Sequence, residues 1–125
     1  MSSRFHFGQI VSAWASDGKG HTKERPVVII DGDETCRSGD PLLVVFITKS
    51  IQRPLPYYHI LLHDSHAKDP VTGLYYPCVA ECNMPRELDQ AKMRDHWGPL
   101  PDDLLTAIIE VYEKLCEDPD FDDWQ

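Results

Sequence analysis

A chain of 125 residues with 42% hydrophobic and 26% charged side chains has the balance of one folded domain and excludes a disordered polymer. No apolar run nears the roughly 20 residues a membrane span needs, and residues 1–6 lack the apolar core of a secretion signal, so a soluble, cytoplasmic protein is expected. A net charge of −9 disfavours broad nucleic-acid binding, although five of the acids (Glu117, Asp118, Asp120, Asp122 and Asp123) lie in the last stretch, 117–125.

In chain order, residues 7–14 mix apolar and small side chains and predict a first strand. Residues 16–23 form a loop in which Gly18 and Gly20 permit backbone angles other residues resist. Residues 26–30, Pro-Val-Val-Ile-Ile, are β-branched and continuously apolar, the mark of a buried strand. Residues 31–40 predict a turn or surface loop. Residues 42–48 predict a second buried strand ending on Thr48, and 57–62 a third. A polar loop at 64–73 leads to a further strand at 75–81, with Pro77 near its start or on an edge.

The period then changes. Leu104, Leu105, Ile108, Ile109, Tyr112 and Leu115 recur at helical spacing, Pro101 suits a first helical turn, and Asp102 and Asp103 favour the positive end of the helix dipole. The spacing predicts an amphipathic helix over 101–116. Short strands followed by one helix give a mainly β domain with α, a small barrel closed or covered by that helix, over 1–116. Residues 117–125 are expected to be an acidic, mobile tail, with Phe121 and Trp124 able to dock.

Cys36, Cys78, Cys82 and Cys116 show no C-x-x-C and no second pair at zinc spacing, so free buried thiols are expected rather than a metal site or disulfides. His63-Asp64-Ser65-His66 offers ligand atoms without the supporting Cys/His pair, and no metal or cofactor is assigned.

Three blocks resemble the MazF/PemK toxin family in order and spacing. The first is Gly8-Gln9-Ile10-Val11, a glycine-containing loop, and Lys23-Glu24-Arg25-Pro26-Val27-Val28-Ile29-Ile30, similar to the family's opening strand and R-P-V-x-V-I strand. The second is Val44-Val45-Phe46-Ile47-Thr48-Lys49-Ser50-Ile51 with Leu55-Pro56 and His59, similar to the strand ending in the family's threonine and its L-P-x-H segment. The third runs over 79–93, then Gly98-Pro99-Leu100 and the helix. The resemblance implies an SH3-like β-barrel (MazF/CcdB-like), usually a homodimer.

It also implies a metal-independent, sequence-selective endoribonuclease acting on single-stranded RNA and checked by a cognate antitoxin protein. DNA would be met only through the toxin–antitoxin complex. In such an enzyme the ribose 2′-OH attacks the adjacent phosphorus, leaving a 2′,3′-cyclic phosphate and a 5′-OH. The family's catalytic arginine and threonine fall on Arg25 and Thr48. A guanidinium matches two phosphate oxygens at once where negative charge builds. The threonine hydroxyl is too weak a base to take a proton readily, so it is assigned to positioning. His21, in the loop before Arg25, is the candidate acid or base.

Gly20, Lys19, Lys23, Lys49, Ser50, Arg53 and His59 are candidate RNA contacts, with Tyr57 or Tyr58 stacking on bases. Arg86 aligns with the arginine of the family's Q-I-R-T stretch if two residues are inserted before it. The family's glutamine is not evident in Glu81-Cys82-Asn83-Met84-Pro85, which departs from the pattern on the base-reading side. The competing reading is a non-catalytic binding module on the same barrel, like the gyrase-poisoning toxins or a degenerate toxin homologue.

Overall fold

The computed structural model describes residues 5–16, 20–94 and 97–117. Asp17, Gly18, Lys19 and most of the acidic tail therefore lie outside the described residues, and with them one candidate RNA contact, Lys19. The elements in order are strand β1 (Ile10–Ser16), strand β2 (Thr22–Ile29), helix α1 (Asp33–Ser38), strand β3 (Leu42–Thr48), strand β4 (His59–His63), strand β5 (Cys78–Leu88), a single 3-10 turn (Gln90–Lys92), strand β6 (Met93–Arg94) and helix α2 (Asp102–Glu117).

The strands form one antiparallel six-stranded sheet in the order β4-β5-β3-β2-β1-β6. It is the mainly β, barrel-like architecture the sequence predicts, left open rather than closed by a β4–β6 ladder among the described residues. The continuously apolar run of β2 has a simple cause: both faces of the sheet are covered. Val27 and Ile29 point into one cluster with Val11, Val44, Cys36 of α1 and Met93 of β6. Val28 and Ile30 point the other way, into a cluster with Ile10, Val45, Ile47, Ala80 and the buried stripe Leu105, Ile108 and Leu115 of α2. No helix among the described residues is long and apolar enough to cross a membrane.

Several predicted bounds move. β1 starts at Ile10, because Gly8 turns the chain with φ +84° and its amide donates to the Ile29 carbonyl at 2.8 Å. β2 starts at Thr22, ahead of the apolar run, since Thr22, Lys23, Glu24 and Arg25 pair with Ser16, Ala15, Trp14 and Ala13. The expected surface loop at 31–40 contains α1, capped at its end by Gly39 with φ +83°.

β5 runs on to Leu88, well past the predicted end. Its register against β3 jumps from Glu81 opposite Phe46 to Pro85 opposite Val45, a bulge over 82–84 that bends the strand and accommodates a proline. Cys36, Cys78 and Cys82 are free and buried; Cys116 is free and exposed, contrary to the expectation for it.

Candidate active site

The long polar start of β2 and the C-terminal end of β3 come together at one end of the sheet. There a cleft of about 520 Å³ is lined by Lys23, Glu24, Arg25 and Pro26 from β2, Ile47 to Ser50 from β3 and its exit, Ser12 from β1, and Tyr75, Tyr76 and Trp97 from the loops. Arg25 is half-buried, and its Nε donates to the Ala15 carbonyl at 3.3 Å, a contact that ties the side chain to the neighbouring strand. Thr48 ends β3, and its Oγ1 accepts the Ser50 amide at 3.2 Å, which fixes the turn that sets Lys49 and Ser50 at the cleft. Lys49 holds its ammonium 4.4 Å above the Tyr76 ring.

Behind this edge lies a carboxyl that the sequence reading did not place in the site. Glu81 of β5 is half-buried and stands opposite Phe46 of β3 and His59 of β4. Burial raises its pKa above the ordinary carboxylate value, and the Arg25 guanidinium pulls it back down. The Glu81 carboxyl thus feels the charge of Arg25 on β2. Its cross-strand neighbour His59 is buried, its Nδ1 lacks a hydrogen-bond partner, and burial lowers its pKa. The Asn83 Oδ1, in the adjacent bulge, is likewise buried without a partner.

Residues 6–115 match the sequence model described as PemK-like, MazF-like toxin of type II toxin-antitoxin system. The chain belongs to that family. Its fold is similar to that of the Mycobacterium tuberculosis toxin MazF-mt6, with a TM-score of 0.65, 19% identity and coverage of 85% of this chain and 94% of the other. It is similar also to MazF from Deinococcus radiodurans, with a TM-score of 0.71, 13% identity and coverage of 91% and 97%. A third similar structure is an endoribonuclease from a mycobacterial species in complex with its cognate antitoxin, with a TM-score of 0.65, 17% identity and coverage of 92% and 97%. No curated protein matches the chain by sequence.

For a PemK/MazF-type toxin, the structure sorts the candidate residues clearly. Arg25, Thr48, Lys23, Lys49 and Ser50 line one cleft. Gly20 adopts φ +89°, which explains why glycine occupies that loop, and His21 is exposed just before β2. Five described candidates lie outside the cleft lining: Gly20 and His21 in the loop before β2, and Arg53, His59 and Arg86. Arg53 is exposed and pairs with Asp64 at 3.5 Å. His59, on the edge strand β4, is buried, so its ring is not a surface contact. Arg86 sits opposite Val44, four residues up β3 from Thr48 or roughly 13 Å away at strand rise, and donates to the Pro85 carbonyl.

Tyr57 is exposed and packs edge-on against Tyr58, but neither ring lines the cleft; the aromatic wall comes instead from Tyr75, Tyr76 and Trp97. The signal available in the sequence was the pair Tyr75-Tyr76 itself, since adjacent residues of an extended chain point to opposite sides. Tyr76 is buried, with its hydroxyl pushed up to about 12 by burial, while Tyr75 is 54% exposed. Trp97 and Glu81 carried no comparable mark.

Proposed function

We propose that this chain is a sequence-selective endoribonuclease toxin that cuts single-stranded RNA without a metal ion and is neutralised by a cognate antitoxin, acting as a homodimer in the cytoplasm. The observation that carries this reading is the meeting of Arg25 and Thr48, from two different strands, in one cleft with Lys23 and Lys49. The RNA phosphate sits against Arg25, whose planar donors stabilise the charge that develops as the 2′-oxygen bonds to phosphorus. Thr48 orients the phosphate or the 2′-hydroxyl by hydrogen bonding. The P–O5′ bond breaks, the 2′-hydroxyl proton passes to a base, and O5′ takes a proton, so the products are a 2′,3′-cyclic phosphate and a 5′-hydroxyl. His21, at the mouth of the loop before β2, is the candidate for proton transfer.

One observation favours the non-catalytic binding module: the half-buried Glu81 carboxyl interacts electrostatically with Arg25, the charge a phosphate would need. Incubation of the purified protein with mixed-sequence RNA in EDTA separates the two readings. Cleavage with cyclic-phosphate ends is expected, and Arg25→Ala should lower kcat/KM by about 100-fold to 1000-fold, the range for removing one donor to a developing oxyanion. Intact RNA under conditions where a known family toxin cuts would overturn the catalytic reading, as would full activity of Arg25→Ala.

A further inference from the structure

Tyr75, Tyr76 and Trp97 give the cleft an aromatic surface that several contacts hold in place. The Trp97 indole Nε1 donates to the Ser12 hydroxyl at 2.8 Å, anchoring the ring edge to β1. Tyr75 lies nearly parallel to Trp97, 12° between planes and 6.1 Å between centroids, and Tyr76 meets it edge-on at 6.5 Å. Behind the indole runs a compact loop. The Asp69 carboxylate accepts the amides of Val71 and Thr72 at 2.7 and 3.1 Å, and the Thr72 carbonyl accepts the Gly98 amide at 2.8 Å. The loop lies so close that a Cβ at Gly98 would sit 1.8 Å from the Val71 carbonyl oxygen.

This surface joins two clefts. On one side is the cleft of Arg25 and Thr48; on the other, a second cleft of about 330 Å³ lined by Lys68, Gly73, Tyr75 and Trp97. Tyr75 and Trp97 belong to both. Cations stand at each end, Lys49 over the Tyr76 ring and Lys68 at the far cleft. Rigid aromatic faces between positive charges form the arrangement on which unpaired bases stack while their phosphates find the cations.

We propose that Tyr75 and Trp97 form a stacking subsite for an unpaired base of RNA next to the scissile step, with the adjoining phosphate toward Lys68. The assignment rests on the endoribonuclease reading above and extends it to the strand's path: the RNA leaves Arg25 and Thr48 along the Tyr75–Trp97 face. One single strand occupies both clefts, because the two clefts share these rings and their lining cations (Lys23, Arg25, Lys49 and Lys68) outnumber the one lining acid, Glu24.

The test uses the full chain with Trp14→Phe and Trp124→Phe, which leaves Trp97 as the only tryptophan. The probe is a mixed-sequence oligonucleotide of 2′-deoxyribonucleotides, which keeps bases and phosphates but has no attacking hydroxyl. Binding should quench Trp97 emission. Tyr75→Ala should weaken binding and raise KM for RNA cleavage by about tenfold to 100-fold, the range for losing one base–aromatic stack, with a smaller change in kcat. Tyr75→Phe, which keeps the ring, should retain most of the affinity and guards against a folding artefact.

Unchanged Trp97 emission at saturating oligonucleotide would overturn the subsite, as would equal affinity and KM for Tyr75→Ala and the parent. Quenching by an acidic peptide but not by the oligonucleotide would assign the face to a protein and also overturn it. Binding and quenching without any RNA cleavage would remove the endoribonuclease reading but leave the stacking subsite standing. A parent protein that neither binds nor cuts would remove both.

Discussion

Glu81 and His59 are neighbours across the β4–β5 ladder, and burial acts on them in opposite senses. The Glu81 carboxyl is raised from an ordinary value of 4.5 by burial, so it holds its proton more tightly in the folded than in the unfolded chain. Stability from this group is full at low pH and falls as pH rises from about 4.5 through the raised folded value. The His59 imidazole is lowered from 6.5, so its folded form prefers to be neutral. Its contribution is full above 6.5 and is lost as pH falls toward the lowered value. The two slopes partly cancel in the wild type. Glu81→Gln should therefore make Tm rise more steeply between pH 4.5 and 6.5, and His59→Gln should flatten it. Thermal melts at half-unit steps check both, and a Glu81→Gln curve parallel to wild type would show that this carboxyl keeps its unfolded-state titration. Because the Arg25 guanidinium acts electrostatically on Glu81, the same variant should also strengthen phosphate binding if the carboxylate competes for the guanidinium.

Among the elements, those with a strong period were legible and those defined by contact with distant chain were not. The helix expected over 101–116 is α2, Asp102–Glu117, since its apolar stripe follows from local spacing alone. The second buried strand ends on Thr48 as expected, where the β-branched run stops. α1 was invisible because a helix of six residues burying only Cys36 has no measurable period. The extension of β5 past Glu81 was hidden by Pro85, which the bulge opposite Val45 absorbs, and by the charged Arg86 and Glu87. For the site, Arg25 and Thr48 could be found through the family's motifs, whereas Trp97 reaches the cleft only because the loop over 69–74 supports it from behind. That support is testable at Gly98. A methyl there would press on the Val71 carbonyl at 1.8 Å, backbone against backbone, with no flexible side chain to yield. Gly98→Ala should cost about 1–3 kcal/mol, as overpacking does, and should disturb Trp97 near-ultraviolet dichroism even below the melting transition. Unaltered stability and dichroism would mean that the loop moves aside freely.

At the scale of the whole molecule, the proposed RNA binding requires a chain of net charge −9 to hold a polyanion through a few local cations. Two electrostatic effects then oppose each other as salt is added. Each phosphate neutralised by Lys23, Arg25, Lys49 or Lys68 releases counterions, so affinity falls with salt at a log–log slope of about −0.7 per contact for a single strand, roughly −2 to −3 for three or four contacts. The long-range repulsion between RNA and the acidic remainder is screened over the same range, since the Debye length falls from about 30 Å at 0.01 M salt to about 10 Å at 0.1 M. Screening raises affinity as salt increases, so the low-salt limb should be flatter than counterion release alone predicts. The acids after Glu117 (Asp118, Asp120, Asp122 and Asp123) are four of the 21 in the chain and carry no compensating cation. Removing residues 118–125 should therefore tighten binding of a non-cleavable oligonucleotide several-fold near 0.02 M salt. It should leave affinity nearly unchanged near 0.3 M and steepen the low-salt limb toward the full slope. Fluorescence anisotropy at five or six salt concentrations distinguishes this from a tail that covers the cleft: a tail in contact with the cleft would change affinity by a similar factor in high salt as in low, because short-range contacts escape screening where long-range repulsion does not.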